Sequence, residues 1–250
     1  MVSVNETAPR RAHLALLGGF SLTVGDAPVP VPPAPARLLA FVAVSCRGAV
    51  PRALVAGSLW PEAPEHCANA NLRSALVRLR DPGRSALEVT SSAVRLAPGV
   101  SVDYHRARAL AALVLDPDGS PLHRPRFGAT TVLDLSADLL PGWYEDWVLQ
   151  EAETWRQLRT HALERLAADF MAARRHPEAV IAAHAAVQAD PLRESSRGTL
   201  IRAHLAEGNA TQARREFERY ARRLRVETGV SPPDRLRRLV AGDRRGLRGG

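Results

Sequence analysis

The feature that most constrains the fold is an offset: Ala179 and Ala213 stand 34 residues apart, each just after a polar segment, His176-Pro177-Glu178 in one case and Ala210-Thr211-Gln212 in the other. In the same register Met171 matches Leu205, Ala183 matches Phe217 and Ala186 matches Tyr220. Small or apolar residues therefore recur where paired helices would pack, at the period of tetratricopeptide helical hairpins. A repeat of this kind cannot bury its apolar face alone, so the helices before Ala162 and after Pro233 are expected to cap the stack.

Upstream, a different pattern dominates. His13 to Val31 alternates apolar and polar residues across Gly18-Gly19 and Gly25-Asp26, which predicts short antiparallel strands. The prolines between Pro28 and Pro35 end that sheet, and Ala36 to Val44 is an apolar helix with Arg37 near its start. Val50 to Trp60 reads as a second helix, with Pro51 in its first turn and Pro61 stopping it. A third helix, Ala68 to Arg80, is stopped by Asp81-Pro82-Gly83, and Leu87 to Thr90 with Val94 to Leu96 forms a β-hairpin across Ser91-Ser92-Ala93. Strands, three helices and a hairpin in that order make a winged helix-turn-helix, which a helix over Tyr104 to Leu115 closes. The expected fold is thus mostly α with small β: an N-terminal winged helix-turn-helix, residues 10–115, a Pro/Gly/Arg-rich linker, 116–131, and an all-α tetratricopeptide-like helical-hairpin domain, 132–241.

The third helix carries the chemistry. Ala68, Leu72, Ala75, Leu76 and Leu79 share one side at helical spacing; Arg73, Val77 and Arg80 lie on one flank and Asn71, Ser74 and Arg78 on the other. A recognition helix needs long donors on its exposed side, because Arg neutralises phosphate and can also bond guanine O6 and N7 in the major groove. Arg73 is the best placed for a base, with Asn71 and Ser74 beside it, while Arg78 and Arg80 suit phosphates. Arg37 and Arg52, at helix starts, are candidates for the flanking backbone, and Arg95 on the hairpin for the minor groove. An ordinary solvated helix face would carry similar charges; the winged-helix order around it favours DNA.

Charge supports this only through placement. All 34 basic side chains are arginine, against 26 carboxylates, for a formal charge of +8. GC-rich codon usage would leave the same lysine-free signature, so only guanidinium groups gathered on one helix point to phosphate. Cys46 and Cys67 form neither a C-x-x-C nor a paired His pattern, and the histidines, including His161, His176, His184 and His204, lack ligand spacing. No metal or cofactor is expected. Nor is an enzyme: there is no nucleophile beside a base, no phosphate-binding Gly loop and no H-E-x-x-H, and Glu145 and Asp146 are adjacent rather than on one face. Met1 to Arg11 has no apolar signal core and no apolar run approaches the roughly 18 residues of a membrane span, so a cytoplasmic location is expected. Trp60 reads as a core or corner residue. Trp143, Tyr144, Trp147 and Trp155 cluster at the first helix of the second domain, Trp147 suiting a core and Trp143 or Tyr144 an interface.

Taken in order and spacing, these segments resemble the SARP family of actinomycete antibiotic regulatory proteins, which join an OmpR-type winged helix to a bacterial transcriptional activation domain. The resemblance lies in Leu16-Leu17-Gly18, Arg37-Leu38-Leu39-Ala40, Leu59-Trp60, Asn71-Leu72-Arg73 and Arg78-Leu79-Arg80 of the first half. In the second half it lies in Leu139 to Val148, Asp190-Pro191-Leu192-Arg193-Glu194 and Arg225 to Pro232. It implies a transcriptional activator that binds direct repeats in double-stranded promoter DNA as a side-by-side homodimer and recruits RNA polymerase, often at a secondary-metabolite gene cluster, without enzymatic chemistry. The chain departs from the pattern at Pro35, where a lysine is common, in its short Ser91-Ser92-Ala93-Val94 wing, and at Asp81-Pro82, which ends the recognition helix early. These departures support a competing reading, an interaction protein whose winged helix serves for docking rather than for DNA. A small molecule or peptide in the repeat groove is a third possibility, for which no residue set names a ligand.

Overall fold

A computed structural model describes residues 11–45, 48–116 and 127–242. Cys46 and most of the expected linker, residues 117–126, lie outside the described residues. The chain divides into two compact units: the first runs to Arg106 and includes Asp138–Glu153, and the second holds Ala107–Ala137 and the chain from Thr154 onward.

In the first unit β1 (Ala12–Ala15), β2 (Ser21–Val24) and β3 (Ala27–Pro28) form an antiparallel meander. Its β2–β3 turn passes through Gly25 at φ 64°, a left-handed conformation that glycine adopts without steric cost. The strands alternate as a half-buried sheet should, with Leu14, Leu22 and Val24 inward. After it come α1 (Pro33–Ser45), β4 (Val50–Pro51), α2 (Arg52–Leu59) and α3 (Glu65–Arg78), then a 3-10 turn at Gly83–Ala86 and the hairpin β5 (Leu87–Val89) and β6 (Ala93–Leu96). β4 joins this hairpin, giving the order β4-β6-β5, while β7 (Ser101–Val102) returns to pair in parallel with β1 before α4 (Asp103–Leu115) begins. α1 packs against α2, α3 and β6, so its apolar run, Leu38, Leu39, Ala40 and Val42, forms the centre of the three-helix core. This is the winged helix expected from the order of elements.

Two boundaries differ from the sequence reading. Val50–Pro51 is strand rather than helix, because Val50 pairs with Val94 in the wing sheet and α2 starts only at Arg52. α3 starts three residues before Ala68 and ends at Arg78, so Arg80 is not on its flank as expected. Leu79 already has a non-helical ψ of 88°, and Asp81 precedes a proline, which disfavours helical geometry and offers no N–H to continue the ladder.

The segment Asp138–Glu153 packs in the first unit. Gly18 N–H donates to the Asp138 carbonyl and Leu140 N–H to the Leu16 carbonyl, both at 2.8 Å. Trp147 stacks edge-on against Phe41 at 5.3 Å and against Trp143 at 6.4 Å, and Trp143 also meets Phe20. Trp143 and Tyr144 precede α6 (Asp146–Ala172) rather than lying on it, and Tyr144 is 80% exposed.

In the second unit α5 (Ala129–Ser136) packs on α7 (His176–Ala189), α7 on α8 (Glu194–Ala206), α8 on α9 (Ala210–Thr228), and α10 (Asp234–Gly242) on both α8 and α9. Ala179 and Ala213 are fully buried at equivalent positions of α7 and α9, as the 34-residue offset requires, and Ala186 and Tyr220 are both buried. The alanine-rich face of α7, including Ala179, Ala182, Ala183 and Ala186, packs against α8, and α10 covers the end of the stack through Leu236, Leu239 and Val240 against Ile201 and Tyr220.

Candidate nucleic-acid interface

The candidate recognition helix α3 is held by Ala68, Leu72 and Ala75, with Leu79 just past its end; all four are at most 3% exposed. Burying that stripe fixes the opposite face outward, and Asn71, Arg73, Ser74, Val77 and Arg78 are all exposed, as is Arg80 beyond the helix. Arg73, Arg78 and Arg80 have no side-chain hydrogen bond or ion pair among the described residues. Their guanidinium groups are therefore available to an external acceptor. Two shallow hollows flank the C-terminal end of α3, one bounded by Leu76, Arg84 and Val89, the other by Val29, Pro30 and Pro82.

The other three arginines are engaged within the protein. Arg37 Nε lies 2.7 Å from Glu145 Oε1, and its Nη2 donates to the Leu59 carbonyl at 2.9 Å, tying α1 to the end of α2 and to the segment before α6. Arg52 donates from its backbone N–H to Ser92 and from Nη1 to the Thr90 carbonyl at 3.3 Å, so it braces the hairpin turn from the start of α2. Arg95 pairs with Glu88 directly opposite on the neighbouring strand, Nε to Oε2 at 2.6 Å. The turn between these strands is closed by Thr90, whose hydroxyl accepts from Ala93 N–H at 3.0 Å.

A residue that the sequence reading did not single out anchors this unit. Asp103 accepts N–H bonds from Leu16 at 2.8 Å and Tyr104 at 2.6 Å on one carboxylate oxygen and from Leu17 at 3.1 Å on the other. It thus starts α4 with negative charge at its N-terminus and clasps the end of β1. Its signal in the sequence was only an acidic residue before a helical pattern, the usual mark of a helix start.

The second unit offers a scaffold with polar ties between helices. Glu164 Oε1 on α6 accepts from Ser195 at 2.7 Å, Ser196 at 2.6 Å and Arg193 at 3.2 Å, joining α6 to the start of α8. No group of three or more His, Cys, Asp or Glu side chains that could hold a metal occurs among the described residues, and no helix there is long and apolar enough to cross a membrane.

Residues 129–242 match the family model of the bacterial transcriptional activator domain. Among solved structures the fold is similar to that of Mycobacterium tuberculosis EmbR in complex with a low-affinity phosphopeptide, with a TM-score of 0.68 at 21% identity over 95% of this chain. The chain spans 66% of the length of that structure. A comparison with curated protein sequences gives no match. The chain thus carries a winged-helix fold in its first part and, over residues 129–242, a segment that matches the bacterial transcriptional activator domain.

Proposed function

We propose that this protein is a sequence-specific DNA-binding transcriptional activator that recruits RNA polymerase and performs no enzymatic step. In this reading residues 10–115 bind DNA, 116–131 link, and 132–241 bind partners through the helical-hairpin scaffold. The carrying observation is the outward face of α3 with the residues just past its end, where Arg73, Arg78 and Arg80 stand exposed without side-chain partners among the described residues. Arg73, with Asn71 and Ser74, reads base edges from the major groove; Arg78 and Arg80 hold phosphates. Arg37, Arg52 and Arg95 contribute by fixing α1, α2 and the wing, since each has at least one side-chain donor on a protein acceptor. The free energy of contacts to DNA and polymerase together raises promoter occupancy, which suffices for activation. A homodimer on promoter direct repeats, a secondary-metabolite gene cluster as target, and a cytoplasmic, nucleoid-associated location complete the reading.

The experiment is selection of bound duplexes from a random DNA pool, followed by titration of the enriched sequence at two salt concentrations. A repeated motif bound well above scrambled DNA is the expected result, and its half-site spacing gives the dimer geometry. The pairing of Arg95 with Glu88 favours a second reading, because it occupies the wing's candidate cation. Weak, salt-labile, sequence-blind binding in the same experiment would make the winged helix a docking module.

A further inference from the structure

We infer that Val77 reads the 5-methyl group of a thymine in the bound duplex, beside the base contacted by Arg73; the inference rests on the DNA-reading function proposed above. Val77 is 78% exposed, and at helical spacing it lies nearly opposite the buried stripe of Ala68, Leu72 and Ala75. It is therefore at the middle of the face that α3 turns outward, one turn from Arg73. Val77 is among the most exposed apolar side chains of the described residues, and a β-branched residue has lower helix propensity than the straight-chain side chains that suit an exposed position. Val77 also lines both hollows at the end of α3, as do Leu79, Arg80 and Asp81.

A phosphate offers nothing to such an apolar side chain; the major-groove edges of guanine and adenine are polar, and cytosine offers only a C–H beside its amine. Thymine alone presents a methyl group there. With Arg73 suited to guanine O6 and N7, the pair would specify a thymine at a fixed offset from a guanine, one reading by hydrogen bonds and the other by apolar contact.

Deoxyuridine replaces thymine with loss of that methyl alone, which makes a direct test. In the duplex enriched by the wild-type protein, each thymine is replaced in turn by deoxyuridine, and affinities are measured for the wild type and for Val77→Ala. One position is expected to weaken wild-type binding about fourfold, the value of one buried methyl-sized group, and to leave Val77→Ala unaffected. Because Val77 is exposed, the variant folds as the wild type does. If the two proteins give the same deoxyuridine profile, the thymine inference is overturned while the DNA-reading function stands. If no duplex is enriched by the wild type, both fall.

Discussion

Arg197 and Glu216 form an ion pair inside the helical stack, Nη1 to Oε2 at 2.7 Å, with both side chains at most 5% exposed. The pair joins α8 to α9, and the guanidinium also lies 5.5 Å from the centre of the Tyr220 ring. Burial pulls the Arg197 pKa down, and the Glu216 carboxylate opposes that pull. The remaining oxygen of Glu216 accepts from Gln212 at 3.2 Å and Arg219 at 3.0 Å, so this carboxylate is saturated with donors. Removing one partner strands the other charge in the interior. Glu216→Ala should lower stability by about 3–5 kcal/mol, whereas replacing both residues together with apolar ones of similar volume should cost far less. Denaturant titration followed by helical circular dichroism of the two variants checks this; equal losses would show that the pair is not a coupled unit.

Two glycines within helices predict opposite responses to enlargement. A Cβ on Gly57 in α2 would meet nothing within 4 Å, so Gly57→Ala should stabilise the protein by about 0.5–1 kcal/mol through helix propensity. On Gly198 in α8 a Cβ would come within 3.1 Å of Leu236 Cδ2, the side chain with which α10 docks. Gly198→Val should therefore cost about 1–3 kcal/mol and loosen α10. Melting curves measure the first change, and amide exchange over Asp234–Gly242 reports the second.

Asp103 is predicted to be the most sensitive single polar residue of the first unit. Its carboxylate serves three backbone N–H groups, and alanine would leave those of Leu16 and Leu17 without an acceptor. Hydrogen bonds to a charged group contribute about 1.5–3 kcal/mol each, so Asp103→Ala should lose at least 2 kcal/mol, with Asp103→Asn intermediate. Equilibrium denaturation of the two variants gives that order, and an asparagine variant as unstable as alanine would contradict it.

The parts of this fold that repeat at short range are legible in the sequence. A 3.6-residue period needs only neighbours to be seen, which is why Leu72 and Ala75 could be placed inside α3 from spacing alone. The Ala179 and Ala213 offset works similarly, since both alanines solve the same packing problem one hairpin apart. Helix ends are less legible, because Val50–Pro51 is decided by pairing with Ala93 and Val94, residues beyond two helices. Long-range polar partners are least legible of all. Arg37 and Glu145 are 108 positions apart, and nothing in either local sequence names the other, whereas Arg95 and Glu88 could be paired once the hairpin register is known. This is why guanidinium groups that look equivalent in the sequence differ in the folded chain.

That difference gives the sharpest prediction about the candidate interface. Each phosphate contact releases counterions, so deleting one lowers the steepness of log K against log salt by about one unit. Arg78→Ala should flatten the slope by that amount and weaken binding to every duplex alike. Arg37→Ala should instead leave the slope unchanged, because its donors face Glu145 and Leu59 and not a phosphate, and its effect should appear as lost stability of the winged helix. Arg73→Ala should relax preference for the selected sequence over a scrambled one. Affinities for matched and scrambled duplexes at several salt concentrations separate the three behaviours. A slope that falls for Arg37→Ala as much as for Arg78→Ala would mean that the Glu145 pair opens on DNA and that both arginines reach the backbone.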